Sequence, residues 1–89
     1  MRNVQMIIRG RVQGVGFRYN AKSLARNLGL SGFIKNLPDD SVLIEVEGDE
    51  QIMDEFIQWC HRGPEHAKVE KVEVNKGEIK NFKGFETRF

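Results

Sequence analysis

The sequence has little cysteine, little proline and no excess of charge of either sign. Because Cys60 is the single cysteine, no disulfide can form within the chain, and packing must stabilise the fold, as suits a reducing compartment. The net charge of +1 argues against broad, non-specific binding of nucleic acid, which needs a basic surface. It does not argue against one local basic site.

Long apolar runs are also missing. The longest run near the N-terminus, Met6 to Ile8, is far too short for a signal peptide or a membrane span. We therefore expect no membrane partner and a cytoplasmic location. With 89 residues, of which 39% are hydrophobic, the chain suffices for one modest core, so we expect a single domain over residues 1–89.

The first half of the chain predicts a strand, a helix and a second strand. The β-branched and aliphatic stretch Val4 to Arg9 predicts a strand that ends at Gly10. Apolar residues then recur at helical spacing and predict a helix over residues 18–28, whose buried face comprises Ala21, Leu24, Ala25 and Leu28. Leu30 to Asn36 is the second strand candidate.

A turn and an alternating strand follow. Leu37-Pro38-Asp39-Asp40 has proline and aspartate at positions that favour a turn, which joins the two strands as a hairpin. In Ser41 to Glu47, Val42, Ile44 and Val46 alternate with Glu45 and Glu47. This alternation predicts a strand with one buried face and one solvated face.

The last part of the chain predicts a helix and two further strands. Asp49 is a good N-cap, and Gly63-Pro64 is a typical helix end. Lys68 to Val74 predicts a strand with a bulge or a late start, because Val69 is out of phase with the later valines. We interpret the mixed charges up to Lys80 as a solvated strand face and hairpin. Alternation near the C-terminus predicts a short extra strand that contains Phe85, Thr87 and Phe89.

The element order is therefore β-α-β-β-α-β, with one possible addition. This order is that of the split βαβ, or ferredoxin-like, fold. We predict an α+β sandwich in which an antiparallel sheet carries two helices on one face.

The segment Gly10-Arg11-Val12-Gln13-Gly14-Val15-Gly16-Phe17-Arg18, called the glycine-rich segment below, enters the first predicted helix directly. Free N–H groups at a helix N-terminus attract anions, and glycines let successive N–H groups converge on one. Arg18 adds a fixed charge with a planar set of donors. A phosphate or carboxylate site and a purely structural turn both fit this pattern. The spacing is neither that of a Walker loop nor that of a dinucleotide fold.

The glycine-rich segment resembles the signature of the acylphosphatase family. Gly32-Phe33-Ile34-Lys35-Asn36 is similar to that family's Gly-Trp-Val-Arg-Asn segment, and the likeness extends over essentially the whole chain. The resemblance implies an enzyme that hydrolyses acyl phosphates to a carboxylate and inorganic phosphate, without a metal or organic cofactor. It also implies that Arg18 binds the phosphoryl oxygens and that Asn36 positions the attacking water. Backbone N–H groups of Gly14, Val15, Gly16 and Phe17 would complete the phosphate site.

The predicted topology is compatible with these roles. In a ferredoxin-like sheet the first two strands run parallel with the third between them, so their C-terminal ends lie at one edge, about 10 Å apart. Because Asn36 is not basic near neutral pH, our hypothesis is that the substrate's own phosphate accepts the proton. Only the phosphate end is recognised by these residues, so we expect tolerance toward the acyl group. We also expect a monomeric protein.

Other readings stay open at this point. A domain with the same loop could bind an anion without turnover, although such a domain would not need Asn36 beside Arg18. RNA binding is disfavoured, because no strand carries the aromatic RNA-recognition pattern. We interpret Cys60 as a core residue. The two histidines, His61 and His66, lack partners for a zinc site. We interpret Phe17 and Tyr19 as residues that anchor the loop in the core.

Overall fold

A computed structural model describes all residues from Met1 to Phe89. Five strands and two helices follow one another along the chain. Their bounds are β1 (Arg2–Arg11), α1 (Phe17–Asn27), β2 (Ser31–Asn36), β3 (Val42–Gly48), α2 (Glu50–Arg62), β4 (Lys68–Lys76) and β5 (Phe85–Arg88). The predicted element order is confirmed, and the C-terminal strand is present.

The strands form one sheet in the order β4-β1-β3-β2-β5. The first four strands pair antiparallel, as the split βαβ fold requires. The added strand β5 pairs parallel to β2, with Lys35 opposite Arg88, so the sheet as a whole is mixed. Since β1 and β2 run in the same direction, their C-terminal ends share one sheet edge.

Both helices pack on the same face of this sheet, and the core lies between the two layers. Alternate residues of β1 and β3 point into it, as period-two strands require. The fully buried core side chains include Met6, Ile8, Ile44, Phe56 and Phe85. α1 contacts β2 and β5, whereas α2 contacts β4 and β1. Cys60 is buried in this core, as expected.

The ends of α2 follow the sequence signals. The side chain of Asp49 accepts hydrogen bonds from the backbone N–H groups of Gln51 and Ile52, at 3.0 and 3.3 Å, as an N-cap does. Gly63 ends the helix, and its N–H bonds to the carbonyl of Trp59. The turn before β3 is also as predicted, since Asp40 N–H donates to Leu37 O.

The prediction that β1 ends at Gly10 is wrong, because the strand continues to Arg11. It can continue because β4 accommodates it with a bulge. Arg9 pairs with Lys71, but Gly10 pairs with Val69, so Glu70 has no partner on β1. The bulge explains why Val69 is out of phase with the later valines of β4.

The path of the chain after β4 shows that two further predictions are wrong: the hairpin after β4 and the solvated acidic face of β3. β4 and β5 lie at opposite edges of the sheet, so the connection between them is not a hairpin. Residues 77–84, called the crossing segment below, pass over the sheet face that carries no helix. They cover Glu45 and Glu47 on β3, which are only 7% and 1% exposed instead of solvated.

The buried carboxylates on this face are paired with polar groups. Asn3 Nδ2 donates to Glu45 at 3.0 Å and to Glu47 at 2.8 Å. The crossing segment adds the backbone N–H of Lys80 and that of Phe82 to Glu47, and the ammonium of Lys80 to Glu45. Buried charges need such partners. Neither helix has the length and apolar composition that a membrane crossing requires.

Candidate active site

The C-terminal edge of β1 and β2 carries a small cavity of about 170 Å³. It is lined by Val12, Gly14, Gly16, Phe17, Arg18, Tyr19 and Asn36. The two predicted motifs, separated along the chain, thus meet at one place. Because pockets for drug-sized ligands span roughly 300–1,000 Å³, this cavity suits a small group such as a phosphoryl group with a water.

The start of α1 forms one wall of this cavity. Gly16 caps the helix, no side chain bonds its first N–H groups, and its first turn has no acidic residue. Gly14 and Gly16 have φ of 73° and 79°, a left-handed backbone region that side chains other than glycine disfavour. The segment therefore turns tightly into the helix and leaves the N–H groups and the positive end of the helix dipole available for an anion.

Arg18 lies in the first turn of α1 and lines the cavity. None of the ion pairs in the structure involves it. Its guanidinium carbon lies 5.2 Å from the centre of the Phe89 ring, a cation–π distance. The donors of the guanidinium are thus not used by a carboxylate of the protein.

Asn36 is the last residue of β2 and lines the same cavity. Its amide oxygen is buried and has no hydrogen-bond partner in the protein. Most buried polar atoms in proteins are paired, so an orphan acceptor requires an explanation. Here the acceptor belongs to a residue that also lines the Arg18 cavity.

Gln13 connects the two walls of the cavity. Its side-chain amide donates two hydrogen bonds of 2.9 Å, one to the carbonyl of Leu37 and one to that of Ser41. Leu37 directly follows Asn36, so these bonds hold the glycine-rich segment against the end of β2. No role of Gln13 is predicted from the sequence. A polar side chain within an otherwise apolar and glycine-rich stretch was the available signal.

Three residues in or next to the glycine-rich segment have different surroundings. Phe17 is buried and packs against Trp59, with ring centres 5.3 Å apart, so it anchors the start of α1 in the core as expected. Tyr19 is not a core anchor, because it is 76% exposed. Val15 packs against the core and does not line the cavity, although the family resemblance implies that its N–H group belongs to the phosphate site.

The cavity contains no histidine, cysteine or carboxylate. Burial raises the pKa of the Cys60 thiol well above its ordinary value, so this thiol is not an activated nucleophile. Asp39 belongs to the turn after β2. The Ser41 side chain and Arg9 lower the pKa of its carboxyl to about 2. No three histidine, cysteine or carboxylate side chains come together as a metal site would require.

The fold and this cavity define a ferredoxin-like α+β protein with a polar site at one sheet edge. The acylphosphatase family model matches residues 4–87. An acylphosphatase of Trichormus variabilis is 45% identical over 85 residues, which cover 96% of this chain and 84% of that protein. An acylphosphatase of Archaeoglobus fulgidus is 44% identical over 86 residues and covers 97% of each.

The same likeness holds in three dimensions. The crystal structure of acylphosphatase from Bacillus subtilis superimposes with a TM-score of 0.97 over 100% of both chains, at 32% identity. The chain belongs to the acylphosphatase family. It is an enzyme, a hydrolase whose substrate is a small-molecule acyl phosphate.

Proposed function

We propose that the Arg18 cavity is the active site and that Arg18 and Asn36 are its catalytic residues. Arg18 and the backbone N–H groups of Gly14, Val15, Gly16 and Phe17 bind the phosphoryl group. Asn36 positions the attacking water. The observation that supports this assignment most strongly is that Asn36, whose buried amide oxygen has no hydrogen-bond partner, lines the same cavity as Arg18.

Charge stabilisation is the main task at such a site. An acyl phosphate has a good leaving group, so transfer of its phosphoryl group depends on positioning and electrostatics more than on a strong base. The planar guanidinium of Arg18 can donate to two phosphoryl oxygens at once. The open N–H groups at the start of α1 add fixed donors, which cost no reorganisation during the reaction.

The reaction is a single displacement at phosphorus. The water oxygen forms a bond to phosphorus while the bond between phosphorus and the acyl oxygen breaks. The electron pair of the broken bond leaves on the carboxylate product. The amide oxygen of Asn36 accepts a hydrogen bond from the water and so orients its lone pair toward phosphorus.

The proton of the attacking water must go to a group within reach. The cavity-lining residues include no carboxylate or histidine, and an amide is not basic near neutral pH. A phosphoryl oxygen of the substrate lies beside the water and accepts this proton. The products are a carboxylate and inorganic phosphate, and the protein returns to its starting state.

The test is hydrolysis of benzoyl phosphate by the purified protein in the presence of a metal chelator. We expect turnover by the parent protein, a loss of both binding and rate for Arg18→Ala, and a loss chiefly of kcat for Asn36→Ala. Arg62→Ala and Asn75→Ala are matched controls, because both residues are exposed and lie outside the cavity. Circular dichroism checks that each variant is folded.

The outcomes separate catalysis from binding. Active controls with nearly inactive Arg18→Ala and Asn36→Ala support the assignment. If Asn36→Ala keeps the parent kcat, Asn36 does not position the water. If a folded parent binds inorganic phosphate but hydrolyses no acyl phosphate, the cavity is an anion-binding site only.

A further inference from the structure

A second, open groove of about 440 Å³ adjoins the Arg18 cavity. It is lined by Arg18, Tyr19, Lys22, Glu86, Thr87 and Phe89. Arg18 and Tyr19 line both the cavity and the groove, so the two are adjacent. A substrate bound through its phosphoryl group in the cavity would extend into this groove, called the acyl groove below.

Two aromatic side chains dominate the apolar surface of the acyl groove. Tyr19 is 76% exposed and Phe89 is 97% exposed, although aromatic rings usually bury much of their surface. Neither residue packs in the core. Exposed aromatic rings next to a polar cavity are the arrangement expected of a ligand site with an apolar wall.

The charged groups of the acyl groove lie beside the rings. Lys22 is one helical turn beyond Tyr19 on α1, on the same side of the helix. Glu86 is paired with Arg88 through a hydrogen bond of 2.9 Å, so its charge is compensated. Lys22 belongs to none of the ion pairs in the structure, so one uncompensated cation borders the two aromatic faces. The aromatic faces suit a planar apolar group.

The position of Asn36 gives the direction of the leaving group. In a displacement at phosphorus, the water and the departing acyl oxygen lie on opposite sides. Asn36 lines the cavity but not the acyl groove. If Asn36 holds the water on one side of phosphorus, the acyl group lies on the opposite side, toward the groove.

From these observations we infer that the acyl groove is the acyl-binding subsite and that Tyr19 is a specificity-determining residue that favours aromatic acyl groups. Phe89 supplies a second aromatic wall. The inference rests on the proposed function of the Arg18 cavity. It replaces the expectation of general tolerance toward the acyl group with a preference.

The test compares kcat/KM for benzoyl phosphate and acetyl phosphate. The ratio of the two values is measured for the parent and for Tyr19→Ala, Tyr19→Phe and Ile52→Ala. Using the ratio removes the different intrinsic reactivities of the two substrates. Ile52 is an exposed apolar residue of α2 outside both the cavity and the groove, so Ile52→Ala is the matched control.

We expect Tyr19→Ala to lower the ratio about three- to tenfold, the range that aromatic stacking contributes. Tyr19→Phe should keep the parent ratio, because it retains the ring. Inhibition constants for benzoylphosphonate and acetylphosphonate, which are not hydrolysed, should show the same change. This second measurement reports binding without chemistry.

A Tyr19→Ala variant whose ratio equals that of the parent would overturn the inference. So would an equal loss on both substrates, since that pattern indicates an effect on the phosphoryl site and not on the acyl group. Failure of the proposed function has a different signature: an Arg18→Ala variant as active as the parent on both substrates. The two failures can therefore be distinguished in one set of assays.

Discussion

Gln13 holds together two residues that the proposed reaction needs at fixed positions. Its hydrogen bonds to the carbonyls of Leu37 and Ser41 join the glycine-rich segment, which leads to Arg18, to the end of β2, which carries Asn36. Both carbonyls also accept a backbone N–H, from Asp40 and Leu37 respectively. Removal of the side chain thus leaves neither carbonyl without a partner.

We therefore expect Gln13→Ala to affect catalysis more than stability. The free energy of unfolding should fall by about 1 kcal/mol. The kcat should fall about ten- to hundredfold, because a small displacement of the water relative to the phosphoryl group is costly. Denaturant titration and steady-state kinetics measure the two effects. Gln58→Ala is the matched control, because Gln58 is an exposed residue of α2.

A double-mutant cycle with Asn36 tests the reason for this loss. If Gln13 acts by positioning Asn36, Gln13→Ala should lower kcat by less than about threefold in a protein that already carries Asn36→Ala. Binding of inorganic phosphate, which uses Arg18 and the N–H groups, should change little. Fully additive losses would contradict a positioning role.

The site residues show how far sequence patterns predict the position of single side chains. The motif residues Arg18 and Asn36 could be placed at one site from the sequence, because chain order and topology fix their location. The prediction that Tyr19, like Phe17, anchors the loop in the core is wrong. Successive helical residues are rotated by about 100°, so residues two apart point to nearly opposite sides. Phe17 therefore enters the core while Tyr19 is exposed.

At the scale of elements, the crossing segment changes the surroundings of β3. Alternation of apolar and acidic residues predicted the strand correctly, but the prediction that its acidic face is solvated is wrong. It could not predict that residues 77–84 cover the acidic face, because that contact joins parts of the chain more than thirty residues apart. Local periodicity carries no information about such a cover.

Glu47 is the main attachment point of the crossing segment. Burial alone would raise the pKa of its carboxyl, but the N–H of Lys80, the amide of Asn3 and the N–H of Phe82 favour the charged form. The net result is a pKa below its ordinary value of 4.5. The ionised Glu47 therefore stabilises the folded state.

Glu47→Gln should lower the free energy of unfolding by about 1–3 kcal/mol at neutral pH. The new side-chain NH₂ group adds a donor where N–H groups already point, and it cannot accept from all of them. Urea denaturation measures the loss. Glu55→Gln, on the exposed face of α2, is the matched control and should change stability little.

The pH dependence of this difference has a definite sign. Because the folded-state pKa of Glu47 lies below the unfolded-state value, its contribution is complete above about pH 4.5 and disappears as the pH falls through the folded-state pKa. The parent should therefore approach Glu47→Gln in stability on acidification. The contribution of ionised Asp39 is lost at lower pH, between its ordinary pKa of 3.8 and its folded-state pKa of about 2. A stability gap that stays constant down to pH 3 would contradict the role of ionised Glu47.

At the scale of the whole molecule, topology explains why so much of the fold could be predicted. The order β-α-β-β-α-β leaves few arrangements once crossovers are right-handed and hairpins pair with their neighbours. This order places the C-terminal ends of β1 and β2 on the same sheet edge, with β3 between them, and thus brings the glycine-rich segment near Asn36. The parallel pairing of β5 with β2 was not predicted, since it depends on the path of the crossing segment.

The distribution of titratable groups over the molecule leads to a prediction for the pH–rate profile. Histidine is the side chain whose ordinary pKa lies nearest neutrality, and His61 and His66 are both exposed and outside the cavity. In the proposed mechanism, the proton of the attacking water goes to a phosphoryl oxygen of the substrate and not to a protein side chain. We therefore expect kcat to be flat from about pH 6 to 8, because no protein group that titrates in this range takes part.

This profile is measured with benzoyl phosphate for the parent and for His61→Gln and His66→Gln. All three proteins should give the same flat kcat, because neither imidazole reaches the substrate. A step in kcat with a midpoint near the ordinary histidine pKa of about 6.5, lost in one of the two variants, would identify that histidine as a proton acceptor. Transfer of the proton to the phosphoryl oxygen would then be wrong, whereas the roles of Arg18 and the N–H groups in binding the phosphoryl group would stand.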